Sequence, residues 1–260
     1  MYQNKPLLIL VLFFAILACS KEDMTSVDNN IGSTELLLNR QAVGSSANDI
    51  LDQSIYTELI IEVAYLDGTE PTDDALNYSL SFLESRANKP DGISIQKKKI
   101  SIDQKEAYSI EEIKAIERQH RVYYNTEGRL SVWILFINGT SAEANSNNLI
   151  LGTAYWNTSF VIYENEIQSL TNGPFQPSTS FLESAVISHE LGHLLGLTNL
   201  GSEMVSNHED ENHPKHCNNQ DCLMYWAVDS SSGIDDMFNM SSPPQLDENC
   251  INDLRTNGGK

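Results

Sequence analysis

The sequence predicts a mixed α/β (α+β) domain. Three observations carry that expectation: β-rich and helical runs interleave along the chain, three strand-like runs follow one another in its middle, and an apolar helix comes after them. A chain of 260 residues has room for one domain of about 200 residues with tails.

Taken in order, YTELIIEVAYLDG (56–68) is rich in β-branched and aromatic residues and closes on a turn, so it reads as a strand. PTDDALNYSLSFLESRAN (71–88) sets apolar residues at helical spacing behind Pro, Thr and Asp, which start helices. GISIQKKKISI (92–102) alternates like a strand, and SIEEIKAIERQHR (109–121) opens with a capping box, Ser109 and Glu112. Three more strands are expected at 129–139, 149–156 and 159–167. A long helix follows, with Ser180 as its N-cap and Glu183 three residues on, and a last helix spans about 245–255 behind Pro243 and Pro244.

Residues 1–18 are expected to be a signal peptide: Lys5 precedes a 13-residue apolar run, too short to cross a hydrocarbon core of roughly 30 Å. ILAC (16–19) resembles a bacterial lipobox, which implies lipidation at Cys19, and SKED after it looks like the acidic export signal of surface lipoproteins. A plain secretory signal with an incidental cysteine is the competing reading; both put the mature chain outside the cytoplasm, and the lipid anchor would place it at the outer membrane or cell surface. Residues 19–48 are poor in large apolar groups and read as a flexible tether, leaving 49–260 for the domain. The formal charge is −20, and loss of Lys5 with the leader takes it to −21. Such a field repels nucleic acid and anionic lipid, so membrane contact is expected through the lipid alone, and a monomer is expected.

The chemistry is concentrated in ISHELGHLLGLTN (187–199). His189 and His193, four apart on a helix, share one face, where both imidazoles can reach one zinc ion. Glu190 projects beside that metal, placed to take a proton from zinc-bound water as general base. A catalytic zinc carries three protein ligands, so a third is required. Gly196 can end the helix and turn the chain under the metal, which would bring back Asn199, but a neutral amide is a poor zinc ligand.

HELGHLLGL resembles the metzincin metalloproteases, whose pattern continues to a third ligand and a methionine in a tight turn. HCNNQDCLMYW (216–226) is similar to the archaemetzincin continuation, in which the third histidine is followed by Cys, four residues, Cys, one residue and Met. The resemblance implies a metzincin-like zincin fold, with a twisted mixed sheet, an active-site helix and a Met-turn C-terminal part. It also implies His216 as third ligand after an insertion over roughly 198–215, with Met224 packed under the metal; His208, His213 and Asn199 remain the alternatives. Archaemetzincins hold a second, structural zinc on four cysteines. Only Cys250 follows Cys217 and Cys222 here, so one catalytic Zn2+ is expected, and a Cys217–Cys222 disulfide in place of the second ion. The activity implied is peptide-bond hydrolysis on protein or peptide substrates outside the cytoplasm. The alternative is a surface lipoprotein that keeps the zinc, binds a protein partner and does not cut.

Overall fold

The computed structural model describes residues 33–145, 149–171, 173–174, 176–233, 237 and 240–260. The expected signal peptide, Cys19 and the first part of the expected tether lie outside the described residues. The strands are β1 (Tyr56–Tyr65), β2 (Gly92–Lys99), β3 (Ala107–Tyr108), β4 (Gly128–Ile137), β5 (Thr140–Ser141), β6 (Gly152–Trp156) and β7 (Ser159–Tyr163). The α-helices are α1 (Ser33–Leu38), α2 (Ala47–Leu51), α3 (Asp73–Glu84), α4 (Ile110–His120), α5 (Glu164–Ser169), α6 (Thr179–Leu194) and α7 (Glu248–Thr256).

The main sheet has the order β2-β1-β4-β7-β6. Its first four strands are parallel, and β6 alone runs antiparallel, against β7, at the sheet edge. The central strands are buried on both faces, which is why β4 reads RLSVWILFI without clean alternation. Leu130, Val132, Ile134 and Phe136 face the core shared with α3 and α6. Trp133, Leu135 and Ile137 face a second core with Ile113 and Ile116 of α4. The mixed α/β class and the mixed sheet are as expected.

Several boundaries moved. The strand expected over 159–167 stops at Tyr163, and α5 follows. The N-cap of α6 is Ser178, whose hydroxyl accepts from the Phe181 N–H at 3.2 Å, not Ser180. Glu183 is drawn away from any capping role because its carboxylate accepts from the Thr72 N–H and hydroxyl. It lies beside Glu164, and burial with this second carboxyl pushes Glu164 from its ordinary 4.5 up to about 8. The last helix begins at Glu248, capped by Asp247.

The expected tether ends earlier than residue 48. Asn39 is fully buried: it donates to Asn125 Oδ1 at 2.8 Å and Thr158 Oγ1 at 3.1 Å, and accepts from the Asn125 N–H at 3.0 Å. Polar composition there reflects these buried hydrogen bonds, not solvation. Beside it, Arg121 and Glu117 form a fully buried ion pair at 2.7 Å, and Glu117 also accepts from Tyr155 and Ser159. This cluster ties α4 to the β6–β7 hairpin and the N-terminal segment.

Two outcomes follow from these groups. Arg121→Ala would leave Glu117 buried without its cation, so a loss of about 3–5 kcal/mol in denaturant unfolding is expected. For Glu164 the folded value lies above the unfolded one, so its contribution is complete below about pH 4.5 and is lost as pH rises through about 8. Glu164→Gln is therefore expected to flatten that part of the stability–pH curve, measured by thermal unfolding from pH 4 to 9.

Candidate metal centre

Helix α6 is buried continuously from Leu182 to Leu194, because sheet, α3 and the C-terminal segment enclose it. A helix apolar all round belongs inside a protein, and polar groups on it must find partners there. Besides Glu183, Ser184 and Ser188, those groups are His189, Glu190 and His193, at 0%, 1% and 8% exposure. The helix ends at Leu195, and Gly196 turns the chain with φ +76°; a Cβ at Gly196 would meet the Ser202 nitrogen at 2.5 Å. Gly192 is required for another reason: a Cβ there would lie 2.2 Å from Met224 Sδ, so the methionine packs directly on the helix between the two histidines.

The turn does not bring Asn199 to the helix. Its amide donates to Glu209 at 3.3 Å. His208 points elsewhere, with Nε2 on Asp253 at 2.7 Å and Nδ1 3.4 Å from Cys217 Sγ, and His213 stacks on Trp226 at 4.1 Å. The imidazole that joins His189 and His193 is His216, with ring centroids 5.3 and 5.1 Å from theirs. Each of the three offers one ring nitrogen, all within 4.8 Å of one another, so together they could hold a metal ion.

The backbone fixes which nitrogens are offered. His189 Nδ1 donates to the Leu223 carbonyl at 2.7 Å and His216 Nδ1 to the Pro214 carbonyl at 3.2 Å, leaving Nε2 of each as a lone pair. Among the described residues, His189 Nε2, His193 Nδ1, His216 Nε2 and both Glu190 oxygens are buried without a hydrogen-bond partner. Burial holds His189 and His216 down to about 4 and His193 well below its ordinary value, so all three rings are neutral and able to ligate. Burial, with Asp229 nearby, also drives Glu190 well above the carboxylate range. Three neutral imidazoles with one ring nitrogen each within 4.8 Å, beside a buried carboxyl, fit a divalent cation, which would satisfy the imidazoles and favour the ionised carboxylate.

The centre opens into a cavity of about 370 Å³. One wall is the edge strand, Gly152, Thr153 and Ala154; the other is His213 to His216 with Trp226 and Asp229. Asp229, which sequence reasoning missed, sits on a 3-10 turn (Trp226–Asp229) with Oδ2 4.0 Å from His189 Nε2. Nothing in its local sequence marks it; the turn after Met224 alone brings it there.

The expected Cys217–Cys222 disulfide is not formed. Cys217, Cys222 and Cys250 are free, buried thiols. Cys222 Sγ lies 3.6 Å from Cys250 Sγ, and it accepts from the Met224 and Asp247 N–H groups at 3.4 Å. His208, Cys217, Asp247 and Cys250 also converge within 4.8 Å. His208, upstream of the thiols, reaches them at 3.4 Å from Cys217 Sγ, a contact that a count of downstream cysteines does not register.

The sequence matches no family model and no curated protein. Among solved structures it is similar to archaemetzincin from Methanopyrus kandleri, at TM-score 0.51 and 15% identity over 77% of this chain and 96% of that one. A zinc-dependent peptidase from Methanocorpusculum labreanum (TM-score 0.48, 14% identity, 75% and 99% covered) and metalloproteinase-II from Bacteroides fragilis (0.42, 13%, 77% and 52%) also align. The chain thus shares the fold of archaemetzincin.

His216→Ala is expected to lower zinc affinity at the three-imidazole centre at least tenfold, read by competition with a chromogenic chelator, whereas Asn199→Ala leaves it unchanged.

Proposed function

We propose that this chain is a zinc-dependent endopeptidase that hydrolyses peptide bonds of proteins or peptides outside the cytoplasm. The observation that carries the reading is Glu190: a buried carboxylate with no partner, beside three lone-pair imidazoles and under an open strand edge. A helix that only stored a metal would have no chemical use for that carboxylate.

His189, His193 and His216 would hold the zinc, and Met224 would pack beneath it. When bound, zinc supplies Lewis acidity, acidifying a water and polarising the scissile carbonyl. Glu190 takes the proton from the attacking water and delivers it to the leaving amine, so no covalent bond to the protein is needed. The unpaired edge of β6 offers backbone N–H and C=O groups to an extended peptide, which would add as a further antiparallel strand. Half-buried Thr153 and Ala154 face that peptide.

A second zinc would be held by His208, Cys217, Asp247 and Cys250, which converge within 4.8 Å, with Cys222 Sγ beside them at 3.6 Å from Cys250. Soft thiolates, one imidazole and one carboxylate form a closed structural set, His208 is oriented by Asp253, and N–H groups already point at Cys222. This ion would pin the segment from His216 to Met224, the task first given to a disulfide. The lipobox-like ILAC and the acidic residues after it support anchoring of the domain by lipid at Cys19 on the outer membrane or cell surface.

Zinc-loaded protein and Glu190→Ala, each incubated with a diverse peptide mixture and analysed by mass spectrometry, test the activity. Products from the first that fall at least a hundredfold in the second are expected; no Glu190-dependent product would overturn the peptidase and leave a zinc-containing binding protein. Two zinc ions per chain by elemental analysis, falling to one in His208→Ala, is the expected count.

A further inference from the structure

Three non-glycine residues among those described have left-handed backbones: Thr198 (φ 52°), Asn199 (φ 70°) and Lys215 (φ 73°). Such conformations persist only where the surroundings hold them, and they concentrate at functional sites. Here they are joined to one another. The Thr198 hydroxyl donates to the Lys215 carbonyl. The Lys215 N–H donates to Glu209 Oε1 at 2.7 Å, and Asn199 donates to the other oxygen of the same carboxylate at 3.3 Å. The two ends of the insertion are therefore clamped at Lys215, the residue before His216.

The clamp fixes the Lys215 backbone and leaves its ammonium free. The side chain is exposed and lines the cleft, and among the described lining residues it is the one lysine or arginine. It forms no ion pair with the described acids. Its charge is felt at His193, one turn along α6 from His189, while Asp229 faces His189. The cleft thus runs from an acidic group to a basic one across the metal centre. In a chain of net charge −20, an exposed, unpaired lysine at the cleft is available to a negatively charged group that is not part of the protein.

We propose that Lys215 is a specificity-determining residue that recognises a carboxylate of the peptide substrate close to the scissile bond. The proposal rests on the peptidase reading above. A peptide added to β6 presents its side chains at fixed register, so one position faces the Lys215 wall. An aspartate or glutamate side chain there, or the substrate's own C-terminal carboxylate, would pair with the ammonium; opposite charges approaching in a partly enclosed cleft are screened less than at open surface.

The experiment is a binding measurement, so it does not depend on turnover. Full-length, zinc-loaded Glu190→Ala protein is titrated with fluorescein-labelled decapeptides of alanine and serine. Each peptide carries one glutamate at a scanned position, is compared with its glutamine twin, and is made with amidated and with free C-termini. At least one glutamate position, or the free C-terminus, is expected to bind about tenfold tighter than its neutral twin. That gain should vanish in Glu190→Ala/Lys215→Ala and in Glu190→Ala/Lys215→Met, and Lys215→Glu should prefer lysine at the same position. Gain confined to the free C-terminus assigns the carboxylate to the chain end. Equal binding of charged and neutral twins, a preference that survives in the Lys215 variants with two zinc ions retained, or no peptide binding at all would overturn the proposal. Failure of the peptidase reading is separately visible, as charge-dependent binding with no cleavage by the wild-type protein.

Discussion

Placing two imidazoles and a carboxylate on a buried helix, and bringing a third imidazole to them from a loop, is the constraint on which the rest of this structure depends. Unpaired polar groups in such surroundings cost several kcal/mol together unless something compensates them. The protein arranges the compensation from outside the helix. Backbone carbonyls of Leu223 and Pro214 take the far protons of His189 and His216, so the near nitrogens present lone pairs to one point. Gly192 gives up its side chain so that Met224 can fill the space between the histidines, and the edge strand closes the other side. What is left is a demand for a divalent cation and for a proton on, or a substrate beside, Glu190.

The segment that completes this centre has little regular structure of its own. His216, Cys217, Cys222 and Met224 lie on turns, held by a few main-chain hydrogen bonds such as Cys217 N–H to the Met224 carbonyl at 2.7 Å. Position must therefore come from side chains, and the buried cluster of three thiols with His208 supplies it. His208 and Asp253 connect that cluster to α7, and the Cys250 thiol stands on the same helix. The insertion that separates the helix from His216 then has two tasks, providing His208 and clamping Lys215.

The N-terminal segment shows the same principle in the other half of the molecule. Asn157, at the β6–β7 turn, exchanges hydrogen bonds with Leu38, Gln41 and Ser46, and Val43 reaches the cleft wall. The buried Arg121–Glu117 pair anchors the same turn from behind. The strand edge offered to a peptide is thus braced by polar contacts distant in sequence, and a compositional reading treats the residues that make them as tether.

By itself the sequence determined the class of fold, the order of most elements and the HExxH helix, because these rest on local periodicity and on spacing within one helix: four residues place His189 and His193 on one face wherever the helix lies. It also contained His216 and Met224 at a recognisable spacing from Cys217 and Cys222, though with rivals in His208, His213 and Asn199. Only the tertiary structure brings His216 beside the two helix histidines and sets the other three elsewhere, since that depends on where a loop returns in space. The same holds for the thiols, whose partner His208 comes from the other side in sequence, for Asp229, which a single turn carries to the metal centre, and for Glu183, which a hydroxyl on another helix cap claims before its own helix can. Each was decided by contacts between residues far apart in the chain, and local sequence carries no record of such contacts.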